Sequence, residues 1–225
     1  MGGIYWIASY SKFGNTWFRT FLHNLQSNSD TPVEINELAT GSIANSRSWI
    51  DNVVGFEVSD LTHEEIARLR PDVYRWALQA DYIGYHKAYD AYQIGIDGVP
   101  LTSTEGTVGA LYIVRNPLDV APSFAKHNQS SIDAAIVLMG NSEGTLSGSR
   151  TRLRRQVRRV LKSWSGHVAI WIDASGLTCH VLRYEDMQAR PQESFGAAAE
   201  FLGLPHDAER VQRAVAFSAF EELSR

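Results

Sequence analysis

Ile4 to Tyr10 is a nearly unbroken run of β-branched, aromatic and small residues, the pattern of a strand buried on both faces. Ser11 to Gly14 interrupts it. From Asn15 onward Trp17, Phe18, Phe21, Leu22 and Leu25 recur at helical spacing, with Asn15 or Thr16 able to cap the first turn. Residues 28–60 mix Ser, Asn, Thr, Asp and Gly with scattered apolar positions and show no period, which predicts loop and short helix. A capping box of Thr62 and Glu65 starts a helix that runs to about Ala80. Short strands follow at Tyr82–Tyr85 and Gly109–Val114, and Pro117 suits the first turn of a helix towards His127. Gly140–Ser149 is rich in Gly and Ser and predicts a mobile loop. The stretch Arg150–Lys162 has the spacing of an amphipathic helix, and a strand at Cys179–Arg183 precedes helices over about 192–202 and 208–217. Strands alternating with helices predict one α/β domain over residues 1–225, a mainly parallel sheet of four or five strands with helices on both faces.

Composition narrows the class. With 44% hydrophobic residues, 17 Gly and 7 Pro, the chain is neither disordered nor collagen-like. Lys and Arg number 21 against 25 Asp and Glu, a balance that argues against a surface built for nucleic acid but allows a local basic patch. The single Cys179 permits neither an internal disulfide nor a cysteine-built zinc site, which points to a reducing, cytoplasmic setting. The apolar start is too short to span a membrane and has no basic leader.

The chemistry concentrates where the first strand ends, in Tyr10-Ser11-Lys12-Phe13-Gly14-Asn15-Thr16-Trp17. A glycine-containing loop between strand and helix aims backbone N–H groups and the positive helix end at one spot, and Lys12 adds a charge there, so an anion is expected. The nucleotide-binding G-x-x-x-x-G-K-[ST] pattern is absent, since Lys12 precedes Gly14. The string resembles the phosphosulfate loop of the PAPS-dependent sulfotransferases, Tyr-Pro-Lys-Ser-Gly-Thr-Thr-Trp. Arg115-Asn116-Pro117 through Ser123 resembles that family's 3′-phosphate segment, with Arg and Ser eight positions apart. Trp164, His167, Val168 and Trp171 are similar to its Trp-x-x-His-Val-x-x-Trp stretch, and Arg183-Tyr184-Glu185-Asp186 to its Arg-Tyr-Glu-Asp turn.

The resemblance implies a P-loop-like three-layer fold and transfer of a sulfuryl group from 3′-phosphoadenosine-5′-phosphosulfate (PAPS) to a hydroxyl, phenol or amine, with no metal. It implies that Lys12 stabilises the departing phosphate, that Phe13, Gly14, Asn15 and Thr16 hold the 5′-phosphate, and that Trp17 stacks on adenine. Arg115 and Ser123 would grip the 3′-phosphate, Tyr184, Ser218 and Phe220 would border the adenine, and His86 would be the general base. His127, His167 and His180 are expected to be structural, and Glu185 and Asp186 to brace a turn. Departures are Ser11 for the family's Pro, the bulky Phe13, Pro122 inside the second motif, and no Arg-Lys-Gly loop after Leu223. Two rival readings stand beside it: a non-catalytic nucleotide-binding or interaction module of the same fold, and a phosphate-donor transferase such as a nucleotide kinase. The seven basic residues of Arg150–Lys162 form either a solvated helix face or a patch for an acidic acceptor, such as a sulfated sugar, or an acidic carrier protein.

Overall fold

The computed structural model describes residues 2–34, 38, 41–95, 98–102, 104–148, 154–173 and 176–219. Its centre is a four-stranded, wholly parallel sheet made of β1 (Gly3–Ser9), β2 (Ile83–Ala88), β3 (Thr107–Val114) and, later in the chain, Cys179–Arg183. The spatial order places β2 and Cys179–Arg183 at the two edges, with β1 and β3 between them. Parallel neighbours require crossovers, and helices supply them on both faces.

Alternation along β1 sorts the two faces. Tyr5 stacks against Tyr85 at 6.0 Å and meets Phe201 edge-on at 5.6 Å, whereas Trp6 turns the other way onto Tyr74 and Trp49. The Tyr5 side carries α1 (Asn15–Ser27). The Trp6 side carries α2 (Arg47–Val54) and α3 (His63–Arg75), whose N-terminus has the Thr62–Glu65 capping box. The chain continues through α4 (Pro117–Asn128), α5 (Ile132–Gly140), a two-stranded ribbon of β4 (Thr145–Leu146) and β5 (Arg159–Val160), and α6 (Trp164–Ile172). Then come β6 (Cys179–Arg183), α7 (Tyr184–Ala189), α8 (Pro191–Phe201) and α9 (Ala208–Phe217). Among the described residues no helix is long and apolar enough to cross a membrane.

Three expectations are corrected. First, neither Asn15 nor Thr16 caps α1: Gly14 occupies the cap position at φ 99°, and the Asn15 amide instead donates back to the Ile7 carbonyl at 2.9 Å and to Ser9 Oγ at 3.2 Å. Secondly, the basic run is not helical where it is described. Its backbone groups bond outward to other segments, Val157 N–H to the Asn45 carbonyl, Leu161 N–H to the Gly144 carbonyl and Arg159–Val160 to β4, so tertiary pairing overrides the helical spacing of its apolar residues. Residues 150–153 lie outside the described residues. Thirdly, the described part of the glycine-rich 140s is anchored, because the Gly144 carbonyl accepts from both Leu161 and Lys162 and Thr145–Leu146 pairs as a strand.

Candidate active site at the strand ends

Where β1 ends, the chain turns through two left-handed residues, Lys12 at φ 72° and Gly14 at φ 99°. Such a sequence of conformations curls backbone N–H groups inward, and the first turn of α1 adds N–H groups that have no partner within the helix. Glycine is required at position 14 for a second reason: a Cβ there would lie 2.6 Å from the Tyr184 ring. Phe13 is fully buried, 5.5 Å from the Tyr10 ring and 6.5 Å from that of Trp164. Only its backbone faces the loop, which explains how a bulky residue fits there. Lys12 and Thr16 are exposed at the mouth.

The second motif closes on the first. The Arg115 guanidinium lies 4.2 Å from the centre of the Tyr184 ring and donates through Nη1 to the Lys12 carbonyl at 3.3 Å. Trp17 meets Tyr184 edge-on at 5.7 Å and Phe195 at 5.4 Å. Glu185 accepts from the Asn116 N–H at 2.8 Å, so the turn after β6 braces the start of α4, as expected. Arg115 Nε and Trp17 Nε1 are buried donors without a partner. Orphaned buried donors are uncommon, and two beside an anion-shaped loop point to a ligand. Ser123 faces the same space from α4. Ser218 does not: it is buried, and its hydroxyl is committed to the Val215 carbonyl at 3.0 Å. Phe220 lies outside the described residues.

The strand expected over Tyr82–Tyr85 runs instead over Ile83–Ala88, so His86 sits inside β2 opposite Trp6 rather than just beyond the strand's end. Its ring stacks on Trp49 at 4.4 Å and bonds through Nδ1 to the Ser42 carbonyl at 3.1 Å. Burial lowers its pKa, and it is not among the residues lining the cavity described next. The residues of this strand that do reach that cavity are Lys87 and, just past the end, Tyr89. Helix α6 holds them in place. His167 Nε2 donates to the Tyr89 carbonyl at 3.2 Å, which leaves Nδ1 to accept from the Tyr112 hydroxyl at 2.8 Å, and Trp171 Nε1 donates to the Asp90 carbonyl at 3.0 Å. His167 is thus structural, and burial lowers its pKa to about 4. Asp90 is fastened by a bidentate pair with Arg70, at 2.8 Å and 3.3 Å, with both side chains buried.

These pieces enclose one cavity of about 780 Å³ at the carboxyl ends of β1, β2 and β3, the position at which open parallel sheets bind ligands. Lys12, Lys87, Arg115, Arg154, Arg159 and His127 line it, and among the described residues no Asp or Glu does. The crowding of positive charge is visible in Lys87: burial first, then Arg19 and Arg159, lower its pKa to about 8. Lys12, Gly14, Asn15, Thr16, Trp17, Arg115, Ser123 and Tyr184 are therefore brought together as the sequence suggests, while Asn15 contributes only its backbone because its side-chain amide points into the core. No sequence motif marks Lys87 or Tyr89, and Arg159 stood out only as one member of the basic run Arg150–Lys162. A signal existed in the strand alternation, since Lys87 and Tyr89 share a side that His86 does not.

Fold and site together define a parallel α/β protein with an anion-binding cavity at its strand ends. The sulfotransferase domain family matches residues 4–225, and the chain belongs to that family. No curated protein sequence matches it. Among solved structures it is similar to mouse sulfotransferase SULT7A1 complexed with PAP, at 17% identity and a TM-score of 0.58, covering 98% of this chain and 65% of that one. It is also similar to retinol dehydratase in complex with androsterone and the inactive cofactor PAP, at 18% identity and a TM-score of 0.58, covering 97% of this chain and 65% of that one. These likenesses bear on the fold, and the chain spans 65% of the length of both structures.

Proposed function

We propose that the protein transfers a sulfuryl group from PAPS to a hydroxyl, phenol or amine of a small acceptor, in the cytoplasm. The observation that carries this is the cationic cavity, without an Asp or Glu among its described lining residues, in which Arg115 Nε and Trp17 Nε1 stand unpartnered beside the Lys12–Gly14 loop. The bound donor supplies an activated sulfuryl group on a phosphate leaving group; this chain supplies the setting. N–H groups at the start of α1, with the Thr16 hydroxyl, hold the 5′-phosphate. Lys12 places its ammonium where negative charge grows on the departing oxygen, an electrostatic contribution of the kind that dominates in group transfer between phosphates. Arg115 and Ser123 take the 3′-phosphate, and the Trp17 and Tyr184 rings flank the adenine. The complexes of the similar structures with PAP support the choice of nucleotide.

A base role for His86 would require its ring to leave Trp49 and Ser42. His86→Gln is accordingly expected to keep kcat within about threefold, whereas a direct proton acceptor would cost about 10²-fold or more. The deciding assay is transfer of labelled sulfate from PAPS to a panel of acceptors. Lys12→Ala is expected to lower kcat by about 10²- to 10³-fold, and an unchanged rate would remove the role given to Lys12.

A further inference from the structure

With His86 packed away from the cavity, the acceptor's proton needs another destination. Among the described residues no Asp or Glu lines the cavity, and its arginines do not give up their protons, which leaves Lys, Tyr and His. Lys12 supplies the positive charge that meets the departing phosphate. Lys87 keeps its proton at neutral pH, because burial and the neighbouring Arg19 and Arg159 bring its pKa down only to about 8. Tyr89 stays a phenol, since burial pushes its pKa up against the opposing pull of Arg19 and Arg159. Tyr184 is packed between the Arg115 guanidinium and Trp17 and is given to the adenine. The side chain that remains is His127.

The sequence suggests a structural His127, and the structure places it otherwise. It sits exposed in the last turn of α4 and lines the cavity with Asn128. No hydrogen bond or ion pair with another described residue occupies its ring, whereas the rings of His86 and His167 are committed. Ser123 lies four positions earlier, so the two side chains share one face of the helix, about 5–6 Å apart at Cβ. The other end of α4 is braced by Glu185, the residue after Tyr184. His127 therefore stands about 15 Å along the helix from the adenine side, one turn past the position at Ser123 given to the 3′-phosphate. An acceptor seated beyond the nucleotide meets the imidazole there.

Resting on the donor assignment above, we propose that His127 is the base of the reaction, taking the proton of the acceptor's hydroxyl on a ring nitrogen of its neutral imidazole. The acceptor oxygen forms its bond to sulfur as the bond from sulfur to the phosphate oxygen breaks, and that electron pair stays with PAP. The acceptor's proton passes to His127 and from there to solvent, which the exposed ring reaches directly. The imidazolium so formed lies in the last turn of α4, at the negative end of the helix dipole. The cations that share the cavity, Lys12, Lys87, Arg115, Arg154 and Arg159, are offset by the phosphates of the bound nucleotide.

The test takes an acceptor that the panel shows to be used and compares it with a more acidic analogue, phenol with 4-nitrophenol or ethanol with trifluoroethanol. PAP affinity is measured in parallel by calorimetry. In His127→Gln the kcat for the less acidic member is expected to fall about 10²-fold or more. The loss shrinks for the more acidic member, which needs less help to shed its proton, and PAP affinity stays within about twofold. A kcat within about threefold of the parent for the less acidic member overturns the proposal. So does an equal loss for both members, because the ring would then position the acceptor, or a loss of PAP affinity, because it would then hold the donor. Failure of the unmodified protein to bind PAP, or to sulfate any acceptor of the panel, overturns the proposed function and this inference with it. PAP binding and sulfate transfer without the selective loss in His127→Gln overturn this inference alone. The exposed position of His127 keeps the variant folded, with a thermal midpoint matching the parent's.

Discussion

Single residues in this site carry unequal weight, and the reasons are geometric. Gly14 combines φ 99° with a Tyr184 ring where a Cβ would go. Gly14→Ala is therefore expected to cost about 1–3 kcal/mol of stability and to weaken PAP binding by moving Tyr184, as melts and calorimetry would show. A variant as stable and as tight as the parent would mean the loop tolerates another shape. Asp90→Ala strips a buried guanidinium of its only bidentate partner among the described residues and should cost about 3–5 kcal/mol in urea unfolding. Asp186→Ala, which removes partly exposed contacts to Arg183 and Arg190, should cost no more than about 1 kcal/mol. Sequence motifs located Gly14 but not Asp90, because nothing local in Tyr89-Asp90-Ala91 announces a partner twenty positions earlier in α3.

At the scale of elements, α6 shows how a motif found by resemblance acquires a physical task. His167 and Trp171 hold two consecutive carbonyls, those of Tyr89 and Asp90, and so fix the end of β2 against the cavity. Burial keeps His167 neutral, with a pKa near 4, while in the unfolded chain the ring takes a proton near its ordinary value. The unfolded state thus binds more protons between about pH 6.5 and 4, so stability is intact above that window and falls as the pH is lowered through it, by up to about 3 kcal/mol. Urea midpoints measured across this range should fall less steeply for His167→Gln than for the parent. An identical slope would remove His167 as the source. The basic segment teaches the opposite lesson: its spacing was helical, yet its N–H groups found carbonyls at Asn45 and Gly144, pairings that no local pattern encodes.

For the molecule as a whole, the legible parts were those written locally. The strand-loop-helix opening and the alternation of strands and helices follow from periodicity, glycine and proline placement within short windows, and the Arg115–Ser123 segment from its resemblance to a family motif. The part of the cavity wall formed by Lys87 and Tyr89 was not legible, because a shift of one residue along β2 decides between a ring packed on Trp49 and a side chain facing the cavity. Arg159, singled out in the sequence only as part of the basic run, arrives from a ribbon 70 residues beyond the Tyr89 ring it covers. The central claim is that this cavity is built for a 3′,5′-bisphosphorylated adenosine. It is tested most directly by titrating the protein with PAP and with ATP by calorimetry. The account predicts tighter binding of PAP and a loss of about tenfold or more in Arg115→Ala, the residue given to the 3′-phosphate. Preference for ATP, or equal PAP affinity in Arg115→Ala, would contradict it.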